Sequence, residues 1–159
     1  MGSSRCLLMV TSVHHGNTAR VAAAMAEVLD GEVAAPEAVP FTAISDARLV
    51  GFGSGVFYGR MHPALLAWLR GLPDARTPST PAFIFSTSGL PFLAGLWHWP
   101  LRRLLIQKGF RLVGQFGCRG FDTWGPLWLV GGLNRQHPDD HDLDRARAFA
   151  RRIDSGRDA

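Results

Sequence analysis

Two histidines, a glycine, an amide and two hydroxyls crowd into seven residues, Ser12-Val13-His14-His15-Gly16-Asn17-Thr18, between the apolar run "CLLMV" and the alanine-rich stretch "ARVAAAMAEVL". Such a turn can ligate a metal, do acid–base work or cradle a phosphate. Metal is disfavoured: adjacent histidines point in different directions, and zinc wants three or four protein ligands. No metal site is expected. The phosphate reading uses every residue type present. A helix starting at Asn17 or Thr18 leaves open N–H groups facing the turn. Gly16 lets the backbone come close, and Ser12 and Thr18 supply hydroxyls. One of His14 and His15 then lies near the phosphate while the other covers the surface or a bound ring. A terminal phosphomonoester fits there without a lysine.

Three later stretches share this character: "GVFYGRMHP" from Gly55, "TSGLPF" from Thr87 and "GCRGFDTWGP" from Gly117. Glycine, hydroxyls and aromatic rings together suit a ligand that carries a phosphate and a flat ring, since aromatic side chains stack on such rings. The first turn is no Walker loop, because no Gly-Lys-Ser/Thr follows, and "GFGSGV" at 51–56 lacks the third glycine of the dinucleotide fingerprint.

The hydrophobic pattern says what positions these turns. Residues 5–11, 48–54, 82–86 and 110–116 read as short buried strands, and 32–35 as a further short one. Helices are expected at 18–29, stopped by Gly31, at 63–70 with Pro63 in the first turn, at 96–108 with a bend or restart at Pro100, and at 139–153. Ser45 and Asp46 suit a turn. "HPDDHD" at 137–142 reads as a helix start with solvated charges. Strand then helix, repeated about five times, implies a mostly parallel sheet with helices on both faces. Its ligands bind beyond the carboxyl ends of the strands, where all four turns lie. Residues 121–138 show no element of their own, and loops of that length often dock a partner or cover a pocket.

Composition sets the remaining bounds. The 159 residues suit a single domain over 1–155, with 156–159 as a short tail. There is no signal-peptide pattern and no apolar run of the length a transmembrane helix needs. Cys6 and Cys118 suit plain buried thiols in a reducing cytoplasm. The formal charge is +4, but the basic residues are scattered, so nucleic acid is not an expected partner. Trp97 and Trp99 fit packing or a hydrophobic rim, which leaves room for peripheral membrane contact.

The stretches "TSVHHGNTARVA", "GFGSGVFYGRMHPALLAWL", "FIFSTSG", "KGFRLVGQFGCRGFDTWGP" and "GGLNRQHPDDHDLDRARAFA", in that order, resemble the flavodoxin family, and most of all flavodoxin-domain proteins with a His-His-Gly-Asn-Thr first loop. The resemblance covers nearly the whole chain. It implies a doubly wound α/β fold, a five-stranded parallel sheet of order 2-1-3-4-5 with helices on both faces, and one non-covalent FMN. It places Ser12, His14, Gly16, Asn17 and Thr18, with His15 beside them, on the phosphate. It places Ser54, Gly55, Val56, Phe57, Tyr58 and Gly59 on the second flavin loop and Ser86, Thr87, Ser88 and Gly89 on the third, with Tyr58 or Phe57 stacked on the ring. The function implied is electron transfer through the flavin, with a redox partner protein or a small redox substrate. The alternative is a small FMN-dependent oxidoreductase acting on a quinone, a porphyrinogen or another flat substrate. The basic balance departs from the acidic rim usual in flavodoxin electron carriers. No catalytic residue stands out.

Overall fold

Four runs carrying Val, Leu, Ile or Phe, and the short Gly31–Ala34 segment, form a parallel sheet. The computed structural model describes residues 5–11, 16–74, 80–120 and 136–156 (for Phe57, the backbone). The elements are β1 (Cys6–Thr11), α1 (Asn17–Leu29), β2 (Gly31–Ala34), α2 (Phe41–Ser45), β3 (Leu49–Phe57), β4 (Arg60–Met61), α3 (Pro63–Gly71), β5 (Pro81–Ser88), α4 (Ala94–Gln107), β6 (Arg111–Arg119) and α5 (Asp140–Ser155). The strands lie in the order β2-β1-β3-β5-β6, all parallel, with β4 antiparallel to β3 alone. Counted along the parallel strands this is the expected 2-1-3-4-5 order.

Each strand puts alternate residues on opposite faces. On one face Leu8, Val10, Phe83, Phe85 and Phe116 pack against α1 and α5 through Val21, Met25, Ala146, Phe149 and Ile153. On the other, Met9, Val50, Phe52 and Ile84 pack against α3 and α4 through Leu65, Leu69, Leu101 and Leu105. The glycines of β3 make the first face possible. A Cβ on Gly51 would lie 2.5 Å from the Phe83 ring, and one on Gly53 would lie 2.2 Å from Phe85. The two rings lie over the strand and stack with centroids 5.7 Å apart.

Several elements differ from expectation. The strand expected to end at 54 continues, and the turn after it is a hairpin. β3 runs on to Phe57 and turns through Tyr58 and Gly59 at φ 51° and 71° into β4, as a two-residue hairpin requires. β5 likewise runs past the expected end at Ser86 and carries Thr87 and Ser88 within the strand. Asp30, at φ 47°, takes the left-handed position that ends α1. Gly31 instead opens β2, where a Cβ would meet the Leu8 side chain at 2.8 Å. Pro100 sits inside α4 without ending it. The helix expected from 139 begins with a reciprocal cap between Asp139 and Asp142. Asp142 is buried rather than solvated. Gly156 ends α5, and the rest of the expected tail lies outside the described residues. Among the described residues no helix is long and apolar enough to cross a membrane.

Candidate functional site

The two sheet faces change character at one line. Met9, Phe52 and Ile84 form the last apolar row on the α3–α4 face. Two residues further along, Thr11 stands opposite Ser54 and Ser54 opposite Ser86. The next residue of β5 on that face is Ser88. On the α1–α5 face, Thr87 follows Phe85. The carboxyl ends of three adjacent strands thus present five hydroxyls above a dry core.

These hydroxyls are not equally satisfied. Ser54 Oγ donates to the Gly55 carbonyl at 2.7 Å and accepts from the His62 N–H at 3.0 Å, which ties β3 to the start of α3. Thr87 Oγ1 lies 2.8 Å from Thr18 Oγ1 and so joins β5 to the first turn of α1. Thr11 Oγ1 and Ser88 Oγ are buried with no hydrogen-bond partner among the described residues. A buried unpaired hydroxyl costs about 1–3 kcal/mol. Both lie at strand ends on the side where sheets of this topology hold ligands.

The start of α1 borders this edge. Gly16 takes φ 64° at the helix N-cap, with no side-chain cap and no acidic residue in the first turn. A glycine N-cap offers no side chain to the first-turn N–H groups, and the first turn itself places no carboxylate at the positive end of the helix. Asn17 and Thr18 are buried there. Gly120, just past β6, closes the same corner: its N–H donates to the Ser88 carbonyl at 3.0 Å. A Cβ at Gly120 would lie 3.0 Å from Thr87 Cβ and 3.1 Å from Asn17 Nδ2. Backbone approach is therefore what glycine provides at 120. Gly16, Asn17 and Thr18 are thus brought beside Thr87, and Ser54 through Gly59 and Ser86 through Gly89 occupy the adjoining strand ends. Ser12, His14 and His15 lie outside the described residues. Tyr58 stands at the hairpin tip and is 76% exposed.

His98 on α4 is the residue that pattern reading missed. It is fully buried, with Nε2 2.7 Å from Ser86 Oγ and Nδ1 3.1 Å from Gln115 Oε1. A carboxamide oxygen only accepts, so Nδ1 carries the hydrogen and the Ser86 hydroxyl donates to Nε2. Burial drives the His98 pKa down to about 4, against a partly offsetting bond to Gln115, and the ring is neutral near pH 7. Serine, imidazole and an orienting amide form the outline of an activated nucleophile. Here, however, Ser86 is only 1% exposed, and the relay fixes the hydroxyl in place rather than presenting it. The only sequence signal was a histidine inside an aromatic stretch, next to Trp97 and Trp99.

Two other reactive-looking groups resolve as structure. Cys118 is buried within β6, and burial, reinforced by Asp142, pushes its thiol up to about 12. It stays protonated and unreactive. His137, Asp139 and Asp142 bring possible ligand atoms within 4.8 Å of one another. Asp139 Oδ1 accepts the Asp142 N–H at 2.9 Å, while Asp142 Oδ2 accepts the Asp139 N–H at 3.2 Å and lies 2.5 Å from His137 Nδ1. Those contacts already use the carboxylates to cap α5.

No family model matches the chain. Solved structures share its fold at low identity. A flavodoxin from Streptococcus pneumoniae TIGR4 superposes with a TM-score of 0.69 at 13% identity, covering 95% of this chain and 99% of that one. Flavodoxin 2 from Bacillus cereus gives 0.68 at 16%, covering 96% and 99%. An NADH:FMN oxidoreductase, EmoB, gives 0.60 at 19%, covering 92% and 88%. These likenesses establish a flavodoxin-like fold. A much closer relative in sequence is the uncharacterized protein MJ0298 of Methanocaldococcus jannaschii, 37% identical over 149 residues, which are 94% of this chain and 97% of that one. With that identity running the length of both chains, this chain belongs to the family of MJ0298.

Proposed function

We propose that the chain binds FMN non-covalently at the carboxyl edge of its sheet and works as an electron-transfer protein. The observation that carries this reading is the group of hydroxyls on β1, β3 and β5 beside the glycine-capped start of α1, two of them buried with no partner among the described residues. A phosphomonoester and a polar ring edge are the groups such donors would satisfy. Ser12, His14, Gly16, Asn17 and Thr18, with His15 near them, would hold the phosphate. Ser54 to Gly59 and Ser86 to Gly89 would flank the ring, with Tyr58 or Phe57 on one face. Bound FMN would supply one- and two-electron chemistry, and the protein would supply binding, orientation and a controlled dielectric. Neutral His98 would hold Ser86 in one orientation without adding charge beside the ring. The protonated Cys118 would leave the flavin without a competing thiolate.

The exposed Tyr58 and the exposed Leu90 beside the third strand end favour a second reading, a small FMN-dependent oxidoreductase acting on a quinone, a porphyrinogen or another flat molecule. Titrating the apoprotein with FMN and with riboflavin, followed by fluorescence quenching, tests the common core of both readings. Binding of FMN well above that of riboflavin is expected, and equal affinities or no binding would remove the phosphate cradle. Reduction by NAD(P)H with turnover of a quinone would favour the enzyme, and reduction without turnover the carrier.

A further inference from the structure

Helix α4 presents apolar side chains on two sides. His98, Leu101 and Leu105 face the sheet and are buried. On the outer side Leu96, Trp99 and Ile106 are 69%, 55% and 54% exposed, and Phe92, in the 3-10 turn just before the helix, is 79% exposed. Within the helix, spacings of three and seven residues put Leu96, Trp99 and Ile106 on one stripe, about 15 Å long at helical rise, with Phe92 in the turn that leads into it. Arg102 and Arg103 are exposed within the same span, and the Arg103 guanidinium lies 5.6 Å from the centroid of the Trp99 ring.

The charge carried by this stripe has one sign. Residues 91–107 hold two arginines, Arg102 and Arg103, and no aspartate or glutamate. Asp74 is engaged by Lys108 at 2.9 Å. Exposed Arg60 on β4, which packs on α4, adds a further cation near the stripe. Pairing this face with a second copy in a twofold dimer would set Arg102 and Arg103 against the same residues, with no carboxylate between them. A partner must supply negative charge and also accept bulky apolar side chains that project from a convex helix. A bilayer surface with anionic headgroups does both, because it deforms around Trp, Phe and Leu while its headgroups meet arginine.

We propose that the outer face of α4 is a peripheral docking surface for anionic membranes, with Phe92, Leu96, Trp99 and Ile106 entering the headgroup boundary and Arg102 and Arg103 meeting the lipid charge. The proposal is independent of the flavin reading, since it uses none of the residues assigned to the cofactor. The test is flotation of the full-length protein with vesicles of phosphatidylcholine alone and of phosphatidylcholine mixed equally with phosphatidylglycerol. Binding to the mixed vesicles, weakened by added salt, is expected. Arg102→Gln with Arg103→Gln should reduce the partition coefficient about thirtyfold. Leu96→Ser with Trp99→Ser should reduce it about tenfold or more, with circular dichroism and melting temperature showing that both variants fold. No vesicle binding by the parent protein at low salt overturns the proposal, as does equal binding to both vesicle types. Binding that survives Leu96→Ser/Trp99→Ser also overturns it, because adsorption by charge alone needs no apolar stripe. Absence of vesicle binding together with dimerisation that the same variant abolishes would instead assign the stripe to a second copy. Absence of vesicle binding with stripe-dependent docking of an acidic protein would assign it to a protein partner.

Discussion

The two ends of the sheet are built from the same strands and finished differently. At the amino end Arg48 bridges three elements: its guanidinium donates to Asp154 on α5 at 2.6 Å and to the carbonyl of Leu29 at the end of α1. The backbone N–H of Arg48 donates to the Arg5 carbonyl at 3.1 Å, and that of Arg111 to the Thr80 carbonyl at 3.1 Å. At the carboxyl end the hydroxyls of Thr11 and Ser88 are buried with no partner among the described residues, and α1 starts at a glycine cap with no side chain to offer. One end spends its polar groups on holding the chain together; the other keeps some in reserve. On the proposed reading, that difference separates stability from binding along a single sheet.

The largest effect expected lies between the two ends. Gly53→Ala should cost about 3 kcal/mol by overpacking, because the new methyl would fall 2.2 Å from the buried Phe85 ring. Urea unfolding measures it. A cost near zero would show that Phe83 and Phe85 do not lie over β3. Close behind is a pH effect at the carboxyl end. His98 titrates near 4 in the fold and near 6.5 unfolded, so the unfolded chain binds the extra proton between those values. Its contribution is fully present above about pH 6.5 and is lost as pH falls through 4, about 3 kcal/mol in all. Unfolding free energies of the parent and of His98→Asn across that window should converge as pH falls; parallel curves would place the ring in contact with solvent.

Smaller changes separate the two ends directly. Thr18→Ala should lose about 1–2 kcal/mol of FMN binding and leave riboflavin binding unchanged, as isothermal titration can read. Unaltered FMN affinity would take Thr18 out of the site. Arg48→Met should cost about 1 kcal/mol of stability, a figure kept low because both charged partners are partly exposed, and should not move FMN affinity. A drop in affinity would mean that the ends are coupled. Ser88→Ala should raise apoprotein stability by about 1 kcal/mol, since it deletes a buried hydroxyl with no partner, while weakening FMN binding by a similar amount. Loss of stability in this variant would show that the hydroxyl already has a partner.

How far the sequence can be read depends on whether a feature is local. "CLLMV", "AFIFS" and the periodic apolar positions of α1, α3 and α5 are local signals, and they carried the strands, the helices and the parallel class. Glycine and hydroxyl residues after each strand pointed to the carboxyl edge for the same reason, because every strand of a parallel sheet ends on one side. The extension of β3 to Phe57 and the hairpin at Tyr58 and Gly59 had no local signal. Tyrosine rarely takes a positive φ, and its tolerance here comes from the pairing of Val56 with Met61 and Phe57 with Arg60.

The chain by itself determined which segments pair, which faces are apolar and where hydroxyls accumulate, because those follow from residue type and periodicity. Only the tertiary structure decided what each polar group faces. His98 and Asp142 look like ordinary surface residues in sequence, yet one is enclosed between β5 and β6 and the other is sealed into the cap of α5. Thr11, Ser54 and Ser86 are more than thirty residues apart in the chain, and they form one row because strand register aligns them. Register and burial are set by packing between distant segments, and it is packing that decides whether a hydroxyl is spent on the fold or left for a ligand.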